Sequence, residues 1–231
     1  MRRTAWLILL ALSISVFLPV MAMAEETEKK KEFNDYIVVI QRKPYLRKGR
    51  VELTPMFHGS FNDSLAQQLS VGASINYHIA EWIYAGVTGG WQDWRFMSRD
   101  ATGFTGTYEQ VIDATDAIPE VSVIDAFVGG VVGFVPLYGK LALFNSSIVH
   151  WDLSVGIGGG AIHTRANGLT GGGVLTVGER FFLLDWLSLT GEVRGYFYPE
   201  ELNQSSGLFT QWQAGVGVSF WLPTSFEYES D

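Results

Sequence analysis

Bulky apolar side chains alternate with small or polar ones in repeated stretches of about ten residues between Arg50 and Trp221. The last stretch is the clearest. Trp212, Ala214, Val216, Val218 and Phe220 alternate with Gln211, Gln213, Gly215, Gly217 and Ser219. Val149, Trp151, Leu153, Val155 and Ile157 interleave with His150, Asp152, Ser154, Gly156 and Gly158, and similar runs occur at Leu69–Tyr77 and Leu187–Phe197. Successive strand residues face opposite sides of a sheet, so each run has one bulky apolar face and one small or polar face. A soluble sandwich packs its apolar face on a second sheet. A continuous, large apolar exterior around a narrow polar interior is instead the pattern of a barrel in lipid. The expected fold is all-β, a transmembrane antiparallel up-and-down β-barrel over residues 50–221.

The connections alternate in length. Tight turns are expected at Ala80-Glu81-Trp82, near Asn145-Ser146-Ser147 and at Leu184-Asp185-Trp186. Longer links are expected at Phe61 to Gln67, Met97 to about Ala126, Thr164 to Gly171 and Pro199 to Phe209. That gives eight strands, with ten as the alternative if the second long link hides a hairpin. Trp82 and Trp186, each next to an acidic residue at a strand start, suit an aromatic girdle at a membrane interface. An open edge in lipid would leave backbone groups unpaired, so the first and last strands are expected to close the ring.

Composition fits this picture. The 231 residues include 26 Gly, 8 Trp, 9 Tyr and 15 Phe, a pairing common in tightly staggered strands and rare in helical proteins. There is no Cys, which excludes disulfides, thiolate metal sites and a lipidated N-terminal cysteine. The formal charge is −8, so no basic footprint for nucleic acid exists.

Residues 1–24 read as a secretory signal peptide: Arg2 and Arg3, an apolar Trp6–Val20 core, and the small-x-small site Ala22-Met23-Ala24. An uncleaved anchor is the alternative. Beyond it no apolar run of ~18 residues remains for a membrane helix. The expected destination is the cell outer membrane, reached after cleavage of the signal peptide. Residues 25–49 form a periplasmic N-terminal segment and residues 222–231 an acidic C-terminal tail.

Alternation puts Glu52, Lys140, Asp152, Glu192 and Arg194 in the lumen, with Lys140 and Asp152 nearly opposite each other. An eight-stranded barrel is just wide enough for side chains to fill, so these charges are expected to form an ion-pair network. A narrow solute or ion path is the alternative. His58, His78 and His150 share the lumen face, but no spacing suggests a metal site or a catalytic set. Neither cofactor nor metal is expected, and a lipid-modifying enzyme is the least favoured reading. The Gly-rich stretches lack the following helix and Lys-Ser/Thr of a phosphate loop.

Ahead of the barrel, Gln41, Arg42, Lys43, Tyr45, Arg47, Lys48 and Arg50 form a basic lead-in. It is expected to meet lipid headgroups at the rim, or to dock a periplasmic or envelope protein by edge pairing.

The Ile40–Pro55 stretch (IQRKPYLRKGRVELTP) resembles a family of small outer-membrane β-barrels from gliding and predatory Gram-negative bacteria, with an eight-stranded OmpA- or OmpW-like architecture. Leu137–Phe144 and the segment from Trp186 to Arg194 look similar too. The resemblance implies an outer-membrane barrel acting as a structural or scaffolding component of an envelope assembly, one linked to motility in some relatives, and supplies no catalytic residues. In the last strand, Gln213, Gly215, Val218 and Phe220 are similar to the signal that barrel-assembly machinery reads, although ten residues follow Trp221.

Overall fold

The computed structural model describes residues 45–62, 68–92, 114, 122–143, 147–202 and 206–225. The expected signal peptide, the segment through Pro44 and the last six residues lie outside these, so Gln41, Arg42 and Lys43 are not placed. A compact unit spans Lys43–Asp231.

Eight antiparallel strands close into a ring in sequence order, with β1 hydrogen-bonded to β8. They are β1 (Val51–Ser60), β2 (Leu69–His78), β3 (Ile83–Gln92), β4 (Ile124–Leu143), β5 (Ser147–Thr164), β6 (Gly168–Leu184), β7 (Leu187–Glu201) and β8 (Ser206–Leu222). The closed ring rules out the sandwich, in which two sheets keep separate edges.

Residue pairing fixes the geometry. Starting at Trp151 on β5, paired residues run through Phe181, Leu189 and Val218. The β8–β1 register carries the path to Pro55, and it continues through Ala73, Gly89 and Val128 to Ala161. The path returns to β5 ten residues from its start, which is the stagger of the barrel. Eight strands with that stagger tilt by roughly 40° from the axis, so each residue rises about 2.5 Å along it.

One face of every strand is buried and the other exposed. Outward positions carry the exposed apolar residues, among them Val71, Val87, Val128, Ile157, Val216 and Leu208. Two aromatic bands border this belt. Tyr77, Trp82, Phe134, Trp186 and Phe220 ring the end with the tight turns, and Phe61 and Trp91 lie toward the other, loop end, where Trp212 packs on Phe197. Phe220 and Trp212 stand eight residues apart on β8, or roughly 20 Å of axial height. With the rings themselves included, the belt matches the ~25 Å apolar band of outer-membrane barrels.

Inward bulk is fitted against glycine. The Tyr84 ring lies across the wall at Gly133, where an added Cβ would come within 2.2 Å of it, and its hydroxyl would be 3.1 Å from a Cβ on Gly156. Inward rings such as Tyr84, Phe127 and His58 therefore lie against glycines, which carry no side chain.

Three connections differ from expectation. The β5–β6 link is a tight turn at residues 165–167, closed by Gly168 at φ 72°, and not a long loop from Thr164 to Gly171. Glycine tolerates that left-handed backbone at no steric cost, and Gly171-Gly172-Gly173 then continue as strand. The link after β7 is also shorter than Pro199–Phe209, because β7 runs to Glu201 and β8 begins at Ser206. Across the β4–β5 hairpin, Leu143 pairs with Ser147. This stands Lys140 opposite His150 and Tyr138 opposite Asp152, which corrects the expected Lys140–Asp152 pairing.

The ring is uneven at the turn end. β3 begins at Ile83, paired with Phe134, so β4 extends nine residues beyond it as a hairpin with β5.

Candidate functional site

The lumen is filled in layers from the turn end upward. At the base, Arg180 on β6 donates from Nη1 to Glu52 Oε2 and from Nε to Asp152 Oδ1, both at 2.7 Å. Asp152 is on the neighbouring β5, but Glu52 is on β1, three strands away around the ring. Arg180 is thus a strut across the lumen. Its guanidinium also lies over the rings of Trp221 and Tyr84, at 5.6 and 5.9 Å. His78 Nε2 stands 3.1 Å from Glu52 Oε2, and its ring packs on Trp221 and Tyr84.

The other oxygen of Asp152 accepts from Arg47, whose guanidinium enters the mouth from the lead-in. Arg47, Glu52, Asp152 and Arg180 are all 3% exposed or less. Two carboxylates face two guanidiniums, so formal charge cancels inside the wall, as burial of ions requires.

A turn at residues 47–50 brings Arg47 there. Gly49 adopts φ 77°. The backbone N–H groups of Arg47 and Lys48 both donate to Glu81 Oε1 at 2.8 Å, and Gly49 N–H donates to His78 O. Arg50 donates to the carbonyls of Pro223, Leu46 and Asp185, which ties the start of β1 to the end of β8 and to the β6–β7 turn. Tyr45 stacks on Phe182 with ring centroids 4.8 Å apart and meets His150 edge-on at 5.0 Å. Burial there, and then the nearby Asp185 carboxylate, push the Tyr45 phenol above its ordinary pKa.

Above the base, the Ser219 hydroxyl hydrogen-bonds with those of Thr54 and Thr190. A second charged set follows. Arg194 donates to Glu192 Oε1 from Nε at 2.8 Å, and its Nη2 lies 2.6 Å from the same oxygen. His58 Nε2 stands 3.3 Å from that oxygen too. Higher still, Gln68, Gln92, Gln211 and Gln213 interlock, with Gln213 donating to Gln92 Oε1 at 2.7 Å. At the loop end an apolar cluster including Ile124, Phe127, Ile162 and Tyr198 completes the filling.

Of the lumen residues expected from sequence, Glu52 and Asp152 meet through Arg180, and Glu192 meets Arg194 in a separate set higher in the barrel. Lys140 joins neither. It is exposed on the β4–β5 hairpin, beyond the closed part of the ring. Of the lead-in residues expected at the rim, Arg47 and Arg50 are instead buried and bonded to the barrel's own groups, and Tyr45 is packed against β5 and β6. Lys48 alone of the placed four is exposed. Gln213 and Gly215 of the last strand face the lumen, Gly215 backing onto the His58 ring, while Val218 and Phe220 face outward.

Arg180 and the inward turn of Arg47 were missed. Extending the inward set Val174, Thr176 and Gly178 by one step would have reached Arg180. The following Phe181-Phe182 pair hides that step, because both faces of the strand are aromatic there. Among the described residues no cluster of three or more His, Asp or Glu could hold a metal ion.

No family profile and no curated protein sequence matches the chain. It is similar to solved barrels. One is a de novo designed transmembrane β-barrel, at 11% identity and TM-score 0.40, covering 77% of this chain and 99% of that one. Another is the N-terminal β-barrel domain of Pseudomonas aeruginosa OprF, at 13% and 0.37, covering 76% and 98%. A third is Neisserial surface protein A, at 11% and 0.35, covering 74% and 95%.

Proposed function

We propose that the protein spans the outer membrane, with its turns toward the periplasm, as a non-enzymatic structural or scaffolding component of an envelope assembly. One observation carries this reading: Arg180 holds carboxylates on opposite walls of the lumen, and Arg47 closes the mouth beneath them. An interior crossed by ion pairs and packed with Trp221, Tyr196, Tyr198 and four glutamines supports a pillar better than a path for solute. The apolar belt between two aromatic bands supports placement in a bilayer. A filled wall leaves the extensions as the parts able to meet partners. The likeness of Ile40–Pro55 to barrels of gliding bacteria makes a motility-linked assembly the partner to look for.

The test is extraction of the tagged protein from native outer membranes in mild detergent. Co-purification of envelope proteins that is lost on deletion of residues 33–44 is the expected result. Recovery only as a lone species would count against the scaffold.

A further inference from the structure

Every outward position between the two aromatic bands is apolar or small among the described residues, with one charged exception. Glu179 lies on β6, paired across to Leu153 on β5 and to Gly191 on β7. Its strand neighbours on the same face are Val177 and Phe181. It is partly exposed, and a Cβ added at Gly191 would meet nothing within 4 Å, so open space lies beside it.

A carboxylate facing hydrocarbon has to be matched by a cation or by hydrogen-bond donors. The outward faces of β5 to β8 hold no Lys or Arg among the described residues. Arg180, next in sequence, points the other way and is already bonded to Glu52 and Asp152. No described residue on these faces supplies the match.

Height decides what can supply it. Glu179 is two residues on the belt side of Phe181, about 5 Å of axial height. A glutamate side chain is long enough to extend toward the level of Phe181, where headgroups begin. Resting on the membrane-spanning reading above, we propose that Glu179 and the notch at Gly191 form a site for a lipid headgroup bearing a primary ammonium, as in phosphatidylethanolamine. The ammonium donates to the carboxylate, and an acyl chain lies in the space beside Gly191. A primary ammonium is preferred over a quaternary one because only the former has N–H donors.

The test uses the full mature protein refolded into phosphatidylglycerol vesicles containing either phosphatidylethanolamine or phosphatidylcholine. Heat-modifiable migration on gels first establishes insertion, which the site does not govern. A wild-type protein that fails to insert would sink the membrane reading itself. For inserted protein, native mass spectrometry of retained lipid is expected to show a roughly threefold to fivefold preference for phosphatidylethanolamine over phosphatidylcholine. Glu179→Gln should abolish the preference, and Glu179→Lys should shift retention toward phosphatidylglycerol. Equal retention by wild type and Glu179→Gln would overturn the proposal. So would zero-length carboxyl–amine crosslinking of Glu179 to another polypeptide in native membranes.

Discussion

Arg180 Nη1 lies 2.7 Å from Glu52 Oε2, joining β6 to β1 across the barrel interior. The same guanidinium holds Asp152, so one side chain bridges two carboxylates on facing strands.

Arg180→Met should therefore destabilise the barrel by about 3–5 kcal/mol, since removing one partner strands buried charge. The double variant Arg180→Met, Glu52→Gln should cost less than the single change, because the remaining Arg47–Asp152 pair is balanced in charge. Urea unfolding in vesicles measures both. A single variant as stable as wild type would show that Arg180 is not the strut.

The seat of Tyr84 gives a packing test. Gly133→Ala places a methyl group where the Tyr84 ring lies and should cost about 1–3 kcal/mol. In a Tyr84→Ala background the same change should cost much less. A double-mutant cycle reads the coupling, and additive effects would mean that the ring does not rest on Gly133.

The lead-in turn depends on Glu81, which accepts the N–H groups of Arg47 and Lys48. Glu81→Ala should weaken local protection by about 1–2 kcal/mol, or roughly a tenfold faster exchange of these two amides. Hydrogen exchange followed by mass spectrometry of the 45–50 peptide would show it. Exchange unchanged from wild type would mean that the turn is held by other contacts.

Depth in the bilayer can be read from arginine scanning. Ile157, 70% exposed at mid-belt, should cost about 2–4 kcal/mol as Ile157→Arg, whereas Leu222→Arg at the turn end should cost about 0–1 kcal/mol. Equal costs at the two positions would argue that the exposed belt does not face hydrocarbon.

The barrel was legible wherever alternation was unbroken. Trp212 to Phe220 reads correctly residue by residue, since each outward bulky group is followed by a small or polar inward one. Legibility failed where local rules were locally disturbed. The β4–β5 register differs by two places from the expected one, which took Lys140 from Asp152 to His150. The link expected from Thr164 to Gly171 is instead mostly strand, and Gly172 in that strand is glycine because the Ile162 side chain occupies the space a Cβ would need. Arg47 precedes any alternating stretch, and only the folded mouth, with Asp152 and Glu81 converging from β5 and the β2–β3 turn, shows why it turns inward.

The closed lumen is tested most directly by single-channel recording of the purified, refolded wild-type protein in a planar bilayer. With Arg180 spanning the interior and Arg47 sealing its mouth, insertion should leave the membrane electrically silent at moderate voltage. Reproducible unitary conductance from the wild-type chain, altered by substitution of Arg180, would contradict the account.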